Sequence, residues 1–306
     1  MMRTNFPKVR ARSLWQPFAH IVLLALLSAT AWGSDQTYAV EGMVLKVDVA
    51  HKTVIVSCQA ISGYMEAMAM PFEVRDAKEL DDLAPGASIG FKLVVQKDSS
   101  YIEGIKVHTY QGLEVDPLTA RRLKLLNQVA DPTSTAARKP LAIGQSVPNF
   151  KLLDQNRRHV ELSKFSGKIV ALDFVYTRCA LPDFCFRTSN NFARLQKRFK
   201  ENLGRDLVLL TVTFDPAHDQ PDVLLKYSAT WKASPSWHFL TGTPADVQKV
   251  CALFGLDAFQ DEGLLNHSLH TAVIDRKGKL VANLEGNQFT AEQLGDLVQT
   301  VIDPRP

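Results

Sequence analysis

The second half of the chain alternates two patterns, and that alternation limits its fold more than any other feature. "KIVALDFVYT" and "LVLLTVTF" are unbroken apolar runs of strand length, as expected for strands buried on both faces. Between them, "NNFARLQKRFKENLG" puts Phe192, Leu195, Phe199 and Leu203 on one helical face and stops at Gly204. Asp219-Gln220-Pro221 reads as the opening of a second helix, "DVLLKYSA", with Asp219 as its N-cap. "TPADVQKVCALFG" is a third helix, "TAVIDRKGKLVANLEG" a hairpin across Lys277-Gly278, and a last helix starts near Ala291. Strands interleaved with helices imply an α/β sheet with a mixed edge over residues 143–306.

Residues 38–110 obey a different rule. "YAVEGMVLKVDVAHKTVIVSC" alternates apolar and polar positions over two stretches that break near Ala50-His51-Lys52. "APGASIGFKLVVQ" and "SYIEGIKVHTY" add two more strand candidates, the first behind the turn residues Pro85 and Gly86. Several short strands and no long helix predict a small all-β, OB-like barrel. Residues 111–142 read as a linker with one helical piece, "PLTARRLKLLNQVA", followed by a polar stretch with two prolines.

The first 31 residues stand apart from both. Arg3, Lys8, Arg10 and Arg12 precede an apolar run from Phe18 to Leu27, and Ala29-Thr30-Ala31 is a small-residue cleavage pattern. This is the layout of a secretory signal peptide. The run falls short of the roughly 20 residues that span a bilayer, so membrane contact is expected only if the signal stays uncleaved. Removal of residues 1–31 takes away four cations and no anion, moving the formal charge from +3 to −1. The mature chain then lacks the basic balance that nucleic-acid binding needs. The expected location is the periplasm.

Four cysteines in an exported chain could be two disulfides, but their placement argues otherwise. Cys58 is remote, Cys251 sits in an apolar run, and only Cys179 and Cys185 are close. They follow a buried strand and precede an amphipathic helix, where an α/β sheet exposes functional groups. Six residues turn a helix by about 600°, so the intervening Ala-Leu-Pro-Asp-Phe must loop for the sulfurs to meet. Cys185 near the helix start would gain thiolate character from the free amides there.

These residues resemble the Sco/SenC family of thioredoxin-fold copper proteins. The resemblance runs from about Gly144 onward, through "GQSVPNFKLLDQN", the cysteine loop, "TVTFDPAHDQPDVLLKY", "WHFLTGTPADVQKVCALFGL" and "NHSLHTAVIDRKGKLV". It implies a thioredoxin-like domain in which Cys179, Cys185 and His267 bind copper. The family's cysteines stand three residues apart with a proline after the second; here five residues intervene and Phe186 takes the proline's place. Two thiolates and one imidazole suit copper(I), whereas structural zinc would need a fourth ligand. His270 is a further donor candidate but reads rather as an exposed strand residue. His238, beside Trp237, reads as core or surface. Asp215 and Asp219 match the family's acidic pair, with helix capping as the plainer alternative.

A second group of soft donors lies in the first half. Met65, Met68 and Met70 fall within six residues, and Met68 and Met70 would share one face of a strand. Thioethers suit copper(I), although methionine is also a common core filler. Residues 38–110 resemble the CusF-like small β-barrel copper binders, whose motif of two methionines before an aromatic stands here as "MAMPF". Cys58 occupies the place of that family's histidine. The resemblance implies a sulfur-only site of Cys58, Met68 and Met70, with Met65 beside it.

Together these readings predict an exported copper(I) metallochaperone whose two soft sites, joined by a flexible linker, exchange copper. The implied partners are a client cuproprotein, such as a cytochrome c oxidase subunit, and a periplasmic thiol reductant. The alternative is a thiol–disulfide oxidoreductase that uses Cys179 and Cys185 as a redox pair and dispenses with His267. A peroxidase fits less well, since only Thr177 and Arg178 hint at its site.

Overall fold

In the computed structural model the described residues are 35–109, 139–179, 182–256, 258–261 and 264–304. The expected export segment, and the linker's helical piece within 110–138, lie outside them. Five strands form the first sheet: Gln36–Asp48 (β1), Thr53–Cys58 (β2), Met68–Glu73 (β3), Ser88–Val95 (β4) and Ser100–Val107 (β5). All pair antiparallel in the order β3-β2-β1-β4-β5. The sheet curls until its ends meet, with Val74 bridging Ile102 and Arg75 donating its amide to the Ile102 carbonyl at 3.0 Å. Period-two alternation sends Val54, Val56, Cys58 and Phe72 inward. A small barrel results, as expected, and β3 is the strand that carries the methionines.

Seven strands build the second sheet. They are Lys151–Asp154 (β6), His159–Glu161 (β7), Ile169–Val175 (β8), Leu207–Thr213 (β9), Trp237–Thr241 (β10), His270–Ile274 (β13) and Leu280–Glu285 (β14). The order is β14-β13-β8-β9-β10-β6-β7, with β8, β9 and β10 parallel and the flanks antiparallel. Every residue of β8 and β9 is buried, as unbroken apolar runs at the sheet's centre require. A separate pair, Ala258–Asp261 (β11) and Leu264–His267 (β12), leads into β13.

Four helices cover this sheet: Arg187–Arg198 (α1), Pro221–Thr230 (α2), Pro244–Phe254 (α3) and Ala291–Ile302 (α4). Phe192 and Leu195 of α1 and Leu294, Leu297 and Val298 of α4 fill one face. Val247, Val250, Cys251 and Phe254 of α3 fill the other. The hairpin falls at Lys277-Gly278, where Gly278 adopts φ 75°. The N-cap of α2 is Gln220 and not Asp219, and it makes no side-chain cap bond. Asp219 is turned back toward β8 instead.

The two sheets are packed together. Met43 and Leu45 project from the outer face of β1 and are only 2% and 3% exposed. They join Leu284, Leu294, Leu297 and Val298 in one apolar cluster. The turn at Gly86, with φ 90°, comes so near β14 that an added Cβ would stand 3.1 Å from the Ala282 Cβ. Among the described residues no helix is long and apolar enough to cross a membrane.

Candidate metal centres

Parallel β8 delivers the chain to the carboxyl edge of the sheet, where it turns through Tyr176, Thr177 and Arg178 to Cys179. A wide turn at Pro182–Phe186, kinked at Phe184, then places Cys185 just before α1. The loop does what the spacing required, for the two thiols are hydrogen-bonded to each other. Cys185 is buried, Cys179 partly so, and both are thiols. The expected thiolate at Cys185 is not found. The hydrogen bond with Cys179 and burial together raise its pKa well above the ordinary thiol value. Phe186, in the proline's place, is exposed and packs against Trp231 at 4.9 Å between centroids.

The acidic pair holds the turn from beneath. Asp219, fully buried, accepts hydrogen bonds from the Thr177 amide at 3.0 Å, the Thr177 hydroxyl at 2.5 Å and the Thr213 hydroxyl at 2.6 Å. Asp215 accepts from Arg178 at 2.6 Å and lies 3.0 Å from His218 Nδ1. Burial alone would raise the Asp215 pKa, but the His218 and Arg178 contacts outweigh it and keep the carboxyl below its usual range. The residues immediately before Cys179 are thus tied to two carboxylates from the next strand–helix junction.

Asp173, which the sequence reading passed over, lies six residues before Cys179 at the centre of β8. It is fully buried, and neither carboxylate oxygen has a hydrogen-bond partner. Thr211 faces it from β9 and Thr271 from β13. Burial pushes its pKa up to about 8, and Thr211 offsets only part of that. Its charge would also disfavour ionisation of Cys185 and Tyr227. The signal was in plain view: an aspartate inside an otherwise apolar strand run.

The histidines divide. His267 ends β12 opposite Ala258, and its side chain lies outside the described residues. Antiparallel pairing of β13 with β8, Thr271 against Asp173, brings the segment just before β13 to the sheet edge that carries the cysteines. His267 thus lies in the stretch of chain that enters the sheet at that end. His270 is not the exposed strand residue expected. Burial lowers its pKa to about 4, and its Nδ1 is sealed from solvent without a partner. His238 is half-buried, 3.5 Å from Asp154, as a core or surface residue would be.

In the first sheet, Cys58 stands directly opposite Met68, and Val56 opposite Met70. Cross-strand partners share a face, so Cys58, Met68 and Met70 all project to the barrel's inner side. Gly42 faces Cys58 from β1, where an added Cβ would collide with Val56 Cγ1 at 2.5 Å. Cys58 is buried and its pKa is pushed up to about 12. Met68 is half-exposed, which makes this end of the barrel its mouth, and Met65 bridges Ile61 nearby. Tyr38 and Tyr64 stack at 4.3 Å. Among the described residues no three His, Cys, Asp or Glu side chains converge as a metal cluster. Both proposed sites lean on sulfur, one of them on thioethers.

Two family models match separate stretches of the chain. Residues 139–303 match the family model described as SCO1/SenC, and residues 37–107 match that of the copper binding periplasmic protein CusF. A SCO2-like protein of Rickettsia typhi is 27% identical over 139 residues, which cover 43% of this chain and 66% of that protein. The SCO1 protein homolog of Bacillus subtilis is 26% identical over 154 residues, covering 48% of this chain and 78% of its own. The chain thus spans just under two thirds of the Rickettsia relative. The structure of Arabidopsis thaliana ScoI with copper bound matches at 25% identity and a TM-score of 0.46, over 54% of this chain and all of that one.

Proposed function

The chain belongs to the SCO1/SenC family, and from that premise we propose that it is an exported copper(I) metallochaperone serving a cuproprotein client. The metal is copper, the ion of both matched families. The observation that carries the reading is the contact between the Cys179 and Cys185 thiols beyond the carboxyl end of β8. Two adjacent soft donors suit copper(I), and one imidazole, His267, would complete a three-coordinate site. Nothing in the pair asks for the fourth ligand of structural zinc. Copper is here cargo. The residues receive it, hold it out of water and pass it on.

The Cys185 thiol keeps its proton in the empty chain, so loading releases that proton and strengthens as pH rises. Cys58, Met68 and Met70 would form the second soft site, where the same proton release applies to Cys58 alone. By family likeness the client is a copper centre of the cytochrome c oxidase type, met in the periplasm, and a thiol reductant keeps Cys179 and Cys185 open. A thiol–disulfide oxidoreductase is the second reading, favoured by one fact: sulfurs in hydrogen-bond contact are also placed to close a disulfide.

An anaerobic copper(I) titration against a competing chelator tests these readings. We expect two sites in the wild type. Cys179→Ser and His267→Ala should each weaken one of them, by tenfold or more, and Met70→Leu the other. If His267→Ala leaves copper uptake unchanged while disulfide reduction of a client depends on Cys179, the oxidoreductase reading replaces the chaperone.

A further inference from the structure

Cys58 and its neighbour Ser57 point in opposite directions, as adjacent strand residues must. The Ser57 hydroxyl donates to Asp296 on α4 at 2.6 Å, and the Gln293 side-chain amide donates to the Ser57 carbonyl at 3.3 Å. Each of these α4 residues has one arm in its own domain and one on the first sheet. Gln293 closes the capping box of α4 by accepting from the Thr290 amide at 2.9 Å. Asp296 accepts from Arg198 at 2.7 Å with its other oxygen. With Met43 and Leu45 sealed against α4, the face of the sheet opposite to the Cys58 face is closed by the second domain.

The latch also lies far along the helices from the cysteine pair. α1 and α4 run side by side in the same direction, since Arg187 reaches Gln288, Arg194 pairs with Glu292 and Arg198 with Asp296. Ser57 docks between Gln293 and Asp296, level with Arg194 to Arg198, seven to eleven residues beyond Arg187 and hence about 10–16 Å along the axis from the end that bears Cys185. Exchange of copper between two sites needs outgoing and incoming sulfurs on one ion, roughly 4–5 Å apart. We infer that the first sheet is latched to α4 with its Cys58–Met68–Met70 face turned away from Cys179 and Cys185, so that copper passes between the two sites of one chain only after that sheet undocks. The inference rests on reading Cys58, Met68 and Met70 as a copper site. It replaces free exchange across a flexible linker with exchange gated by an interface.

The test uses the full chain with Cys179 and Cys185 first oxidised to a disulfide, which leaves the first sheet to take one equivalent of copper(I) under anaerobic conditions. A phosphine then reduces the disulfide, consuming water and yielding two thiols and a phosphine oxide. Protection of Cys179 and Cys185 from alkylation reports the arrival of copper. Leu45→Glu puts a charge into the docking face and leaves the inner donors alone, and Ser57→Ala removes one latch bond; small-angle scattering reads whether the sheet is released. We expect Leu45→Glu to enlarge the radius of gyration and speed arrival at least tenfold, at a rate independent of protein concentration. Ser57→Ala should speed it a few-fold, and decides the matter if Leu45→Glu does not fold. Equal rates in wild type and in a variant that scattering shows to be released overturn the inference while the copper reading stands. No copper uptake by the disulfide form overturns both.

Discussion

Asp173 is costly to the fold, because a carboxyl with no partner has been placed in the centre of a sheet. Its folded pKa, about 8, lies above the ordinary carboxyl value near 3.8. Below pH 4 the group is protonated in both folded and unfolded chains. Between pH 4 and 8 the unfolded chain releases the proton and the folded chain keeps it, so this residue's contribution to stability falls as pH rises. Asp173→Asn should abolish that decline. In urea unfolding the wild type should lose on the order of a few kcal/mol relative to the variant between pH 5 and pH 8. A constant difference between the two across that range would show that Asp173 is ionised or solvated in the folded chain. Cys185 shows the same lesson with opposite sign of expectation. Its place beside a helix start suggested a thiolate, and its contact with Cys179 and its burial kept the proton on.

The turn that carries Cys179 is an element held from outside itself. Asp219 receives three hydrogen bonds, two of them from Thr177, and shields them completely from water. Asp219→Ala would leave buried donors unpaired and should destabilise the domain by about 2–4 kcal/mol, read by chemical denaturation. The same variant should make Cys179 more reactive to alkylating agents in the native state; unchanged reactivity would mean that the turn keeps its shape unaided. The sequence alone could not separate this role from helix capping, since either would put an acid at the junction of β9 and α2. Capping is legible where both halves of a motif are local. Thr290 and Gln293 form a reciprocal capping box at α4, and Thr290→Ala should cost about 1 kcal/mol in thermal or urea unfolding. A loss well beyond that would reveal that the cap also supports the latch through Gln293.

At the scale of the whole molecule the two sheets share a core, and their stabilities should be linked. Leu45 belongs to the first sheet, yet it packs with residues of β14 and α4. Leu45→Ala should destabilise by roughly 2–4 kcal/mol and should lower the unfolding midpoint seen through Trp231 and Trp237, which lie in the second domain. A shift seen only by probes of the first sheet would mean that the sheets unfold independently.

Much of this protein is written in local pattern. Unbroken apolar runs marked β8 and β9 as central strands, period-two alternation marked the first sheet, and the types and spacing of cysteines and methionines named a soft metal. These are short-range properties, set by side-chain period and donor chemistry, and a linear sequence displays them directly. What tertiary structure decided concerns faces and neighbours. It joined Cys179 to Cys185, buried Asp173 without a partner, turned Asp219 from a cap into an anchor, and sealed His270. It also chose which face of β2 meets α4, and so set the Cys58 thiol on the face opposite that helix. Alternation guarantees that Ser57 and Cys58 look in opposite directions, but only packing across more than two hundred residues of chain determines which of them looks at α4.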